Sequence, residues 1–303
     1  MEDIKRVVAL GFFDGVHLGH QALMNAARKQ AARLGVQPAV ITFDAHPDEF
    51  VSGTVVPLLG SMADRKELIR RVGGIDDVIV LHFDRKFMQT PWVDFIRSVK
   101  DDLGAVHLVM GRDFCCGWRG EGTSEKLAAW CRENGLGCDI VEEVVLDGVT
   151  VSSTYIRELV AAGNMEQAAR YLGHPHSLCD TVEHGYQRGR RIGAPTINTR
   201  IEPGVIVPRH GVYVTQVWLD DRALPAVTNV GVRPTFEGDS GVTVETNILD
   251  FSGQLYGAAV RVDFLQFIRD EVRFPTQDAL AQQIQKDIAA ARAYFQSTEG
   301  DLS

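Results

Sequence analysis

Val7-Val-Ala-Leu-Gly-Phe-Phe-Asp-Gly-Val-His-Leu-Gly-His20 joins two kinds of pattern, and the join sets the fold of the first half of the chain. Lys5 to Phe13 is a short apolar run rich in β-formers. Gln21 to Leu34 then follows a helical period, with Leu23, Ala27, Ala31 and Leu34 on one face. The glycines between them permit a tight turn and a close approach of backbone to a phosphate. The helix start adds unpaired N–H groups and a partial positive charge, which together favour an anion. His17 and His20, three residues apart at that start, can point at the same ligand. Their N–H groups would there stabilise charge growing on a phosphoryl oxygen. The same spacing also fits a pair of metal ligands, but no third ligand stands at a suitable spacing nearby. Two histidines beside a turn, taken alone, are more often structural. Strand, glycine turn and helix together move the reading to catalysis.

The alternation continues outward from this stretch. Pro38 to Phe43 reads as a buried strand, Asp64 to Val72 as a helix, Val78 to Phe83 as a strand and Trp92 to Asp102 as a helix. Val106 to Met110 is a further strand, and Ser124 to Asn134 is a helix stopped by Gly135. Strands alternating with helices over short connections predict a parallel sheet covered on both faces. Such sheets bind ligands beyond the carboxyl ends of their strands, where strand order reverses. The turns after Leu10, Phe43 and Met110 are therefore the places to expect chemistry.

Tyr155 to Ala162 and Met165 to Leu172 read as two short helices. After Gly173 the apolar period changes to two, over Val212 to Trp218, Pro225 to Val232, Val242 to Phe251 and Ala258 to Phe267. Gly, Pro and Asp clusters separate these runs, which predicts an antiparallel barrel or sandwich. A last helix, Gln277 to Phe295, has Thr276 as N-cap and a stripe of Leu280, Ile284, Ile288, Ala291 and Phe295. The boundary is expected within Pro175 to Asp180, giving domains of residues 1–178 and 179–303.

With 303 residues, two domains of ordinary size are expected, and 45% hydrophobic residues match a soluble globular chain. A net charge of −9 argues against nucleic acid or an anionic membrane as partner, because such binding relies on Lys and Arg neutralising phosphates. The opening MEDIKRVVALGFFDG has too short an apolar stretch for a secretory leader, and no run approaches the roughly 20 residues of a membrane span. Five cysteines, none at CxxC spacing, fit a reduced, cytoplasmic protein.

His-x-Gly-His after a first strand resembles the signature of the nucleotidylyltransferase superfamily, which transfers a nucleotide from ATP and releases pyrophosphate. The fuller wording, Gly11-Phe-Phe-Asp-Gly-Val-His-Leu-Gly-His20, resembles the bacterial bifunctional riboflavin kinase/FAD synthetase family. That resemblance implies catalytic roles for His17 and His20, with Gly11, Phe13, Asp14 and Gly19 at the nucleotide. The superfamily's partner motif is matched by Ser152-Ser-Thr-Tyr-Ile-Arg157 at another helix start. Ser152, Ser153, Thr154 and Arg157 then serve the outer ATP phosphates, since hydroxyls, backbone donors and an arginine one turn in suit them. Thr42-Phe-Asp-Ala-His-Pro47 and Gly111-Arg-Asp-Phe114 also match, and the resemblance implies that Asp113 helps seat nucleotide or flavin. Where the family continues with an Arg-Phe-Gly-like tract, this chain has Cys115-Cys116-Gly117.

Gly185-Tyr-Gln-Arg-Gly-Arg-Arg-Ile-Gly193 is a cationic, glycine-rich loop suited to covering phosphates. It runs into Pro195-Thr-Ile-Asn198, which resembles the Pro-Thr-x-Asn motif of riboflavin kinases. The resemblance implies an ATP site at Gly189, Arg190, Gly193, Pro195, Thr196 and Asn198, with Thr196 and Asn198 on Mg²⁺, a cation that prefers hard oxygen ligands. Phosphorylation of an alcohol benefits from a group that accepts its proton. In Val242-Thr-Val-Glu-Thr-Asn-Ile-Leu-Asp-Phe251, Val242, Val244 and Ile248 share one face, while Glu245 and Asn247 share the other. The match to the family's Val-Glu strand, followed by Leu255-Tyr-Gly257, makes Glu245 the base. The family often has histidine where Asn247 stands. Arg269 and Phe274 resemble a segment bordering the flavin.

What the resemblance implies as a whole is a Rossmann-like α/β nucleotidyltransferase domain followed by a small antiparallel β-barrel riboflavin kinase domain with a C-terminal helix. The implied reactions turn riboflavin and ATP into FMN and ADP, then FMN and ATP into FAD and pyrophosphate. The alternatives are a single-activity member with one half decayed, or a non-catalytic flavin- or nucleotide-binding regulator. Oligomeric state is not legible in the sequence.

Overall fold

The structure is a computed structural model that describes residues 4–182, 196–232, 241–251, 253 and 255–300, with side chains described to residue 298. By compactness the chain divides into two units, Met1–Ser153 and Thr154–Ser303.

The first unit opens with β1 (Arg6–Leu10), a one-turn 3-10 helix (Asp14–Val16) and α1 (Leu18–Leu34), followed by β2 (Gln37–Phe43) and α2 (Pro47–Ser52). Next come α3 (Met62–Arg71), β3 (Asp77–Leu81), α4 (Arg85–Met88), α5 (Trp92–Asp101) and β4 (Ala105–Gly111). A small hairpin of β5 (Cys115–Cys116) and β6 (Gly122–Thr123) leads to α6 (Ser124–Glu133) and β7 (Gly137–Val141). A second hairpin, β8 (Val145–Leu146) and β9 (Val149–Thr150), closes the unit. The main sheet is parallel with order β3-β2-β1-β4-β7. Both of its faces are covered: Val7, Ala9 and Val40 pack with Met24 and Ala27 of α1, while Val8, Leu10 and Ile41 pack with Ile96 and Val99 of α5. That is why Val7 to Leu10 are continuously apolar rather than alternating. Each fully buried side chain of this kind stabilises the fold by roughly 1.5–3 kcal/mol.

Helix ends follow local chemistry. Ser61 and Asp64 form a reciprocal capping box at the start of α3. Gly35, left-handed at φ 66°, ends α1. Leu34, expected on the buried stripe, is 44% exposed because the helix unwinds immediately after it. The expected strand from Val78 to Phe83 ends two residues earlier, at Leu81.

The second unit begins one residue into α7 (Ser153–Ala161) and continues with α8 (Met165–Leu172). Its strands are β10 (His176–Thr181), β11 (Thr196–Thr199), β12 (Gly211–Leu219), β13 (Arg222–Val232), β14 (Val242–Ile248) and β15 (Ala259–Arg269), and α9 (Gln277–Gly300) ends the chain. The strands form one antiparallel sheet of order β10-β15-β12-β13-β14-β11, curled into a half-barrel. Tyr213, Thr228, Val244, Thr246 and Phe264 fill the concave side. Val212, Val214 and Val227 lie on the other face, against Ile288, Ala291 and Phe295 of α9. Thr276 caps α9 as expected, accepting from the Ala279 N–H at 3.2 Å. Two strands of this unit, β10 and β11, are not expected from the sequence pattern. The expected junction, at 178/179, lies inside β10, all six residues of which pair with β15, and β11 falls where the sequence shows only the Pro-Thr-Ile-Asn motif.

Candidate active sites

In the first unit the sheet order reverses between β1 and β4, which places the turns after Leu10 and Gly111 beside the switch point. The turn after β1 is held from several sides. The Thr42 hydroxyl donates to the Phe12 carbonyl at 2.7 Å, the Gln21 amide donates to the Val16 carbonyl at 2.9 Å, and the Ser153 hydroxyl donates to the Asp14 carbonyl at 2.9 Å. Asp14 is buried, and its carboxylate accepts from the Leu59 N–H at 2.8 Å. Phe13 sits in the core, so only its backbone is offered to a ligand. Phe13 and Val16 are non-glycine residues at φ 60° and 46°, a strained geometry that a fixed surrounding must impose.

This turn delivers the two histidines. His17 caps α1, its Nδ1 accepting from the His20 N–H at 3.3 Å, which leaves the proton of a neutral ring on Nε2. The two imidazoles stack with centroids 3.6 Å apart and planes 17° from parallel. A Cβ on Gly19 would lie 3.1 Å from the His17 ring, so the residue between the histidines has to be small. His20 is half-buried and its Nδ1 finds no hydrogen-bond partner among the described residues. Burial, then His17, then Arg65 hold its pKa well below the ordinary histidine value, so the ring is neutral at physiological pH. Gly11 joins the sheet by donating its N–H to the Ile41 carbonyl at 3.3 Å.

Asp113 is exposed just beyond β4, its carboxylate folded back over Gly111. The adjoining Cys116 thiol is pushed up to about 12 by burial and stays protonated. Ser152 and Ser153 end the first unit; Thr154 and Arg157 lie in the first turns of α7, in the second.

In the second unit the sheet register assembles the other set. Across β11 and β14, Asn198 stands directly opposite Glu245, and Thr196 opposite Asn247. Directly opposed residues share a face with Cβ atoms about 4.5–5.5 Å apart, so Thr196, Asn198, Glu245 and Asn247 form one polar patch. Val244, Thr246 and Ile248 point the other way into the barrel, which bears out the facing read from the alternation. Glu245 is exposed. Gly189, Arg190, Gly193 and Pro195 lie outside the described residues. Arg269 is engaged within the protein: Nε and Nη2 both donate to the Asp287 carboxylate, at 3.0 and 2.7 Å, and Nη1 donates to the Asp270 carbonyl. Phe274 is half-buried, 5.7 Å from that guanidinium.

Two polar residues at these sites escaped the sequence reading. Asn229 on β13 stands opposite Glu245 from the other side, so the carboxylate lies between two asparagines. Arg65 is buried behind the histidine turn. Neither carries a motif: Asn229 sits in an ordinary strand, and an arginine in the first turns of a helix reads as a solvated charge. Among the described residues no cluster of His, Cys, Asp and Glu is arranged to hold a metal, and no helix is long and apolar enough to cross a membrane.

Comparison with known proteins matches both units. The family model for FAD synthetase covers residues 1–155, and that for riboflavin kinase covers residues 172–295. The bifunctional riboflavin kinase/FMN adenylyltransferase of Listeria monocytogenes is 35% identical, over 98% of this chain and 95% of its own length. The protein of the same name from Pseudomonas fluorescens is 37% identical over 95% of this chain and 92% of its own. A crystal structure from Streptococcus pneumoniae, of a protein called a macrolide-efflux protein, superposes with a TM-score of 0.82 at 30% identity, over 95% of this chain and 94% of that one. With a first unit of parallel α/β type, a second of antiparallel strands, and relatives alike from end to end, this chain belongs to the bifunctional riboflavin kinase/FMN adenylyltransferase family.

Proposed function

We propose that the chain is the enzyme that converts riboflavin to FMN and then FMN to FAD, using ATP in both steps. The observation that carries this reading is the presence of two phosphorus-directed constellations, one in each unit: the stacked imidazoles of His17 and His20, and Glu245 set against Asn198. The family models matching both units favour two activities over a decayed half or a silent regulator.

In the kinase step the ribityl hydroxyl of riboflavin attacks the γ-phosphorus, Glu245 accepts the hydroxyl proton, and ADP leaves. The Thr196 hydroxyl and the Asn198 amide oxygen are neighbouring hard donors on the face of Glu245, which suits Mg²⁺ arriving with the ATP phosphates. When bound there, the cation neutralises phosphate charge. Gly189, Arg190, Gly193 and Pro195 complete the ATP loop in this reading, and Arg269 and Phe274 border the flavin, Arg269 by fixing the segment rather than by a free guanidinium.

In the adenylylation step a phosphate oxygen of FMN attacks the α-phosphorus of ATP and pyrophosphate leaves. His17 and His20 stabilise the charge that develops on the phosphoryl oxygens. Gly11, Phe13, Asp14 and Gly19 contribute backbone and shape at the turn, Ser152 and Ser153 serve the outer phosphates, and Asp113 seats nucleotide or flavin. We assign adenylylation to the segment matched by the FAD synthetase model, residues 1–155, and the kinase to that matched by the riboflavin kinase model, residues 172–295. A reduced, cytoplasmic setting is part of this reading, since the five cysteines of the sequence have no CxxC spacing.

The test is a time course with riboflavin, ATP and Mg²⁺, resolving FMN and FAD by chromatography. Both products are expected, FMN first. Glu245→Gln is expected to cut FMN formation at least 100-fold while sparing FAD formation from supplied FMN, and His20→Ala to do the reverse, on the scale of lost base or oxyanion contacts. Parallel loss of both activities in either variant would refute separate centres.

A further inference from the structure

One cationic side chain of the first unit is buried with no direct ion pair among the described residues. Arg65, on α3, is 2% exposed. Its Nη1 donates to the Phe43 carbonyl at 2.9 Å and to the Thr42 hydroxyl at 3.3 Å, at the carboxyl end of β2. The guanidinium lies 3.9 Å from the centre of the Phe12 ring, and Nε is buried with no acceptor among the described residues. It forms no ion pair among the described residues, and Asp14 is the only carboxylate that acts on its charge there. Burial lowers its pKa to about 10, so it stays cationic at neutral pH. Holding a guanidinium out of water without a direct ion pair is costly, several kcal/mol in proteins generally. A long apolar side chain would fill the same space more stably, so stability alone does not account for the charge.

The contacts of Arg65 converge on the strained turn. The Thr42 hydroxyl that accepts from Arg65 donates in turn to the Phe12 carbonyl, and the Phe12 ring lies under the guanidinium. Phe12 immediately precedes Phe13, whose left-handed backbone, with that of Val16, aims His17 and His20. Backbone outliers of this kind cost about 1–3 kcal/mol each and persist only where neighbours over-determine them. We propose that Arg65 is a positioning residue for FMN adenylylation, locking the Phe12 turn to the end of β2 and setting a fixed positive charge behind the stacked histidines. This inference rests on the histidine turn being the adenylylation centre.

The charge has a second consequence. The groups that act on His20 are His17, from the same turn, and Arg65, from α3, and both disfavour a proton on its ring in addition to burial. Loss of the Arg65 charge therefore raises the His20 pKa toward its ordinary value. Activity that needs neutral His20 would then fall off at higher pH on the acid side.

The experiment measures FMN-to-FAD and riboflavin-to-FMN rates of the full chain from pH 5.5 to 9 for wild type, Arg65→Met and Arg65→Lys. For Arg65→Met we expect an adenylylation kcat 10- to 100-fold lower, an acid limb moved to higher pH, and an unchanged kinase rate; misplacement of reacting groups by about 1 Å has effects of this size. Arg65→Lys keeps the charge and loses the flat fork, so its acid limb returns to the wild-type position while the rate recovers only in part. Wild-type adenylylation with an unmoved acid limb in Arg65→Met overturns the proposal, as does an equal loss of both activities in step with a lowered Tm. Should Arg65→Met fail to fold, full adenylylation by Arg65→Lys overturns it. A wild-type protein that makes FMN but no FAD from supplied FMN would instead bring down the reading of the histidine turn itself, and this inference with it.

Discussion

His176, in β10, is 2% exposed, and its Nε2 has no hydrogen-bond partner among the described residues. Burial first, then the neighbouring His174, lower its pKa to about 4. The folded state therefore refuses a proton that the unfolded chain accepts near pH 6.5. Between these values the unfolded state binds more protons, so stability is full above about pH 6.5 and is lost as pH falls toward about 4. The difference amounts to about 3 kcal/mol at the acid end. His176→Phe, beside Phe264 with ring centres now 5.9 Å apart, is expected to remove this part of the acid slope. Urea denaturation of both proteins at pH 7 and pH 5 checks it: the gap between the two pH values should shrink in the variant, and an undiminished gap would place the acid sensitivity elsewhere. His176 and Arg65 were equally invisible in the sequence, and for one reason. Whether an ionisable side chain is a solvated tip or a buried charge depends on what covers it, and no local pattern records that.

Among the elements, α9 shows how one ion pair docks a helix. Its apolar stripe of Leu280, Ile284, Ile288, Ala291 and Phe295 was legible, but the same face carries Asp287, 4% exposed and gripped by both forks of Arg269. Removing one partner leaves the other charge poorly solvated. Asp287→Ala is expected to lower stability by about 3 kcal/mol, read by chemical denaturation, whereas the double variant Arg269→Met with Asp287→Leu should regain most of it. Additive losses in the double variant would contradict an uncompensated charge as the cause. The strands divide along similar lines. β12, β13, β14 and β15 announced themselves by period two because each has one apolar face on a core. β10 and β11 did not: His176-Ser-Leu-Cys-Asp-Thr181 is polar at alternate positions and lies on an edge, and Thr196-Ile-Asn-Thr199 is too short for a period to show. Both became strands because β15 and β14 offered ladder hydrogen bonds from distant parts of the chain.

For the molecule as a whole, two centres on one chain make a prediction about traffic between them. Neither Glu245→Gln nor His20→Ala alone should carry riboflavin through to FAD. Mixed in one tube with ATP and Mg²⁺, they should do so after a lag, with the rate rising with the concentration of the partner variant, because FMN released by one molecule is taken up by the other. No FAD from the mixture, with each single activity intact, would mean that FMN passes between centres without release. Local chemistry was written in the chain from the start: the glycine turn into α1, the histidine spacing, the Pro-Thr-Ile-Asn motif and the alternation around Glu245 all depend on neighbours in sequence, where sterics and side-chain period act directly. Register, burial and charge pairing were settled only when distant segments met. The row Asn198–Glu245–Asn229 exists because three strands align, and Arg65 lies behind the histidines because α3 packs against the Asp14–Val16 turn and bonds the end of β2, both being contacts between residues far apart along the chain.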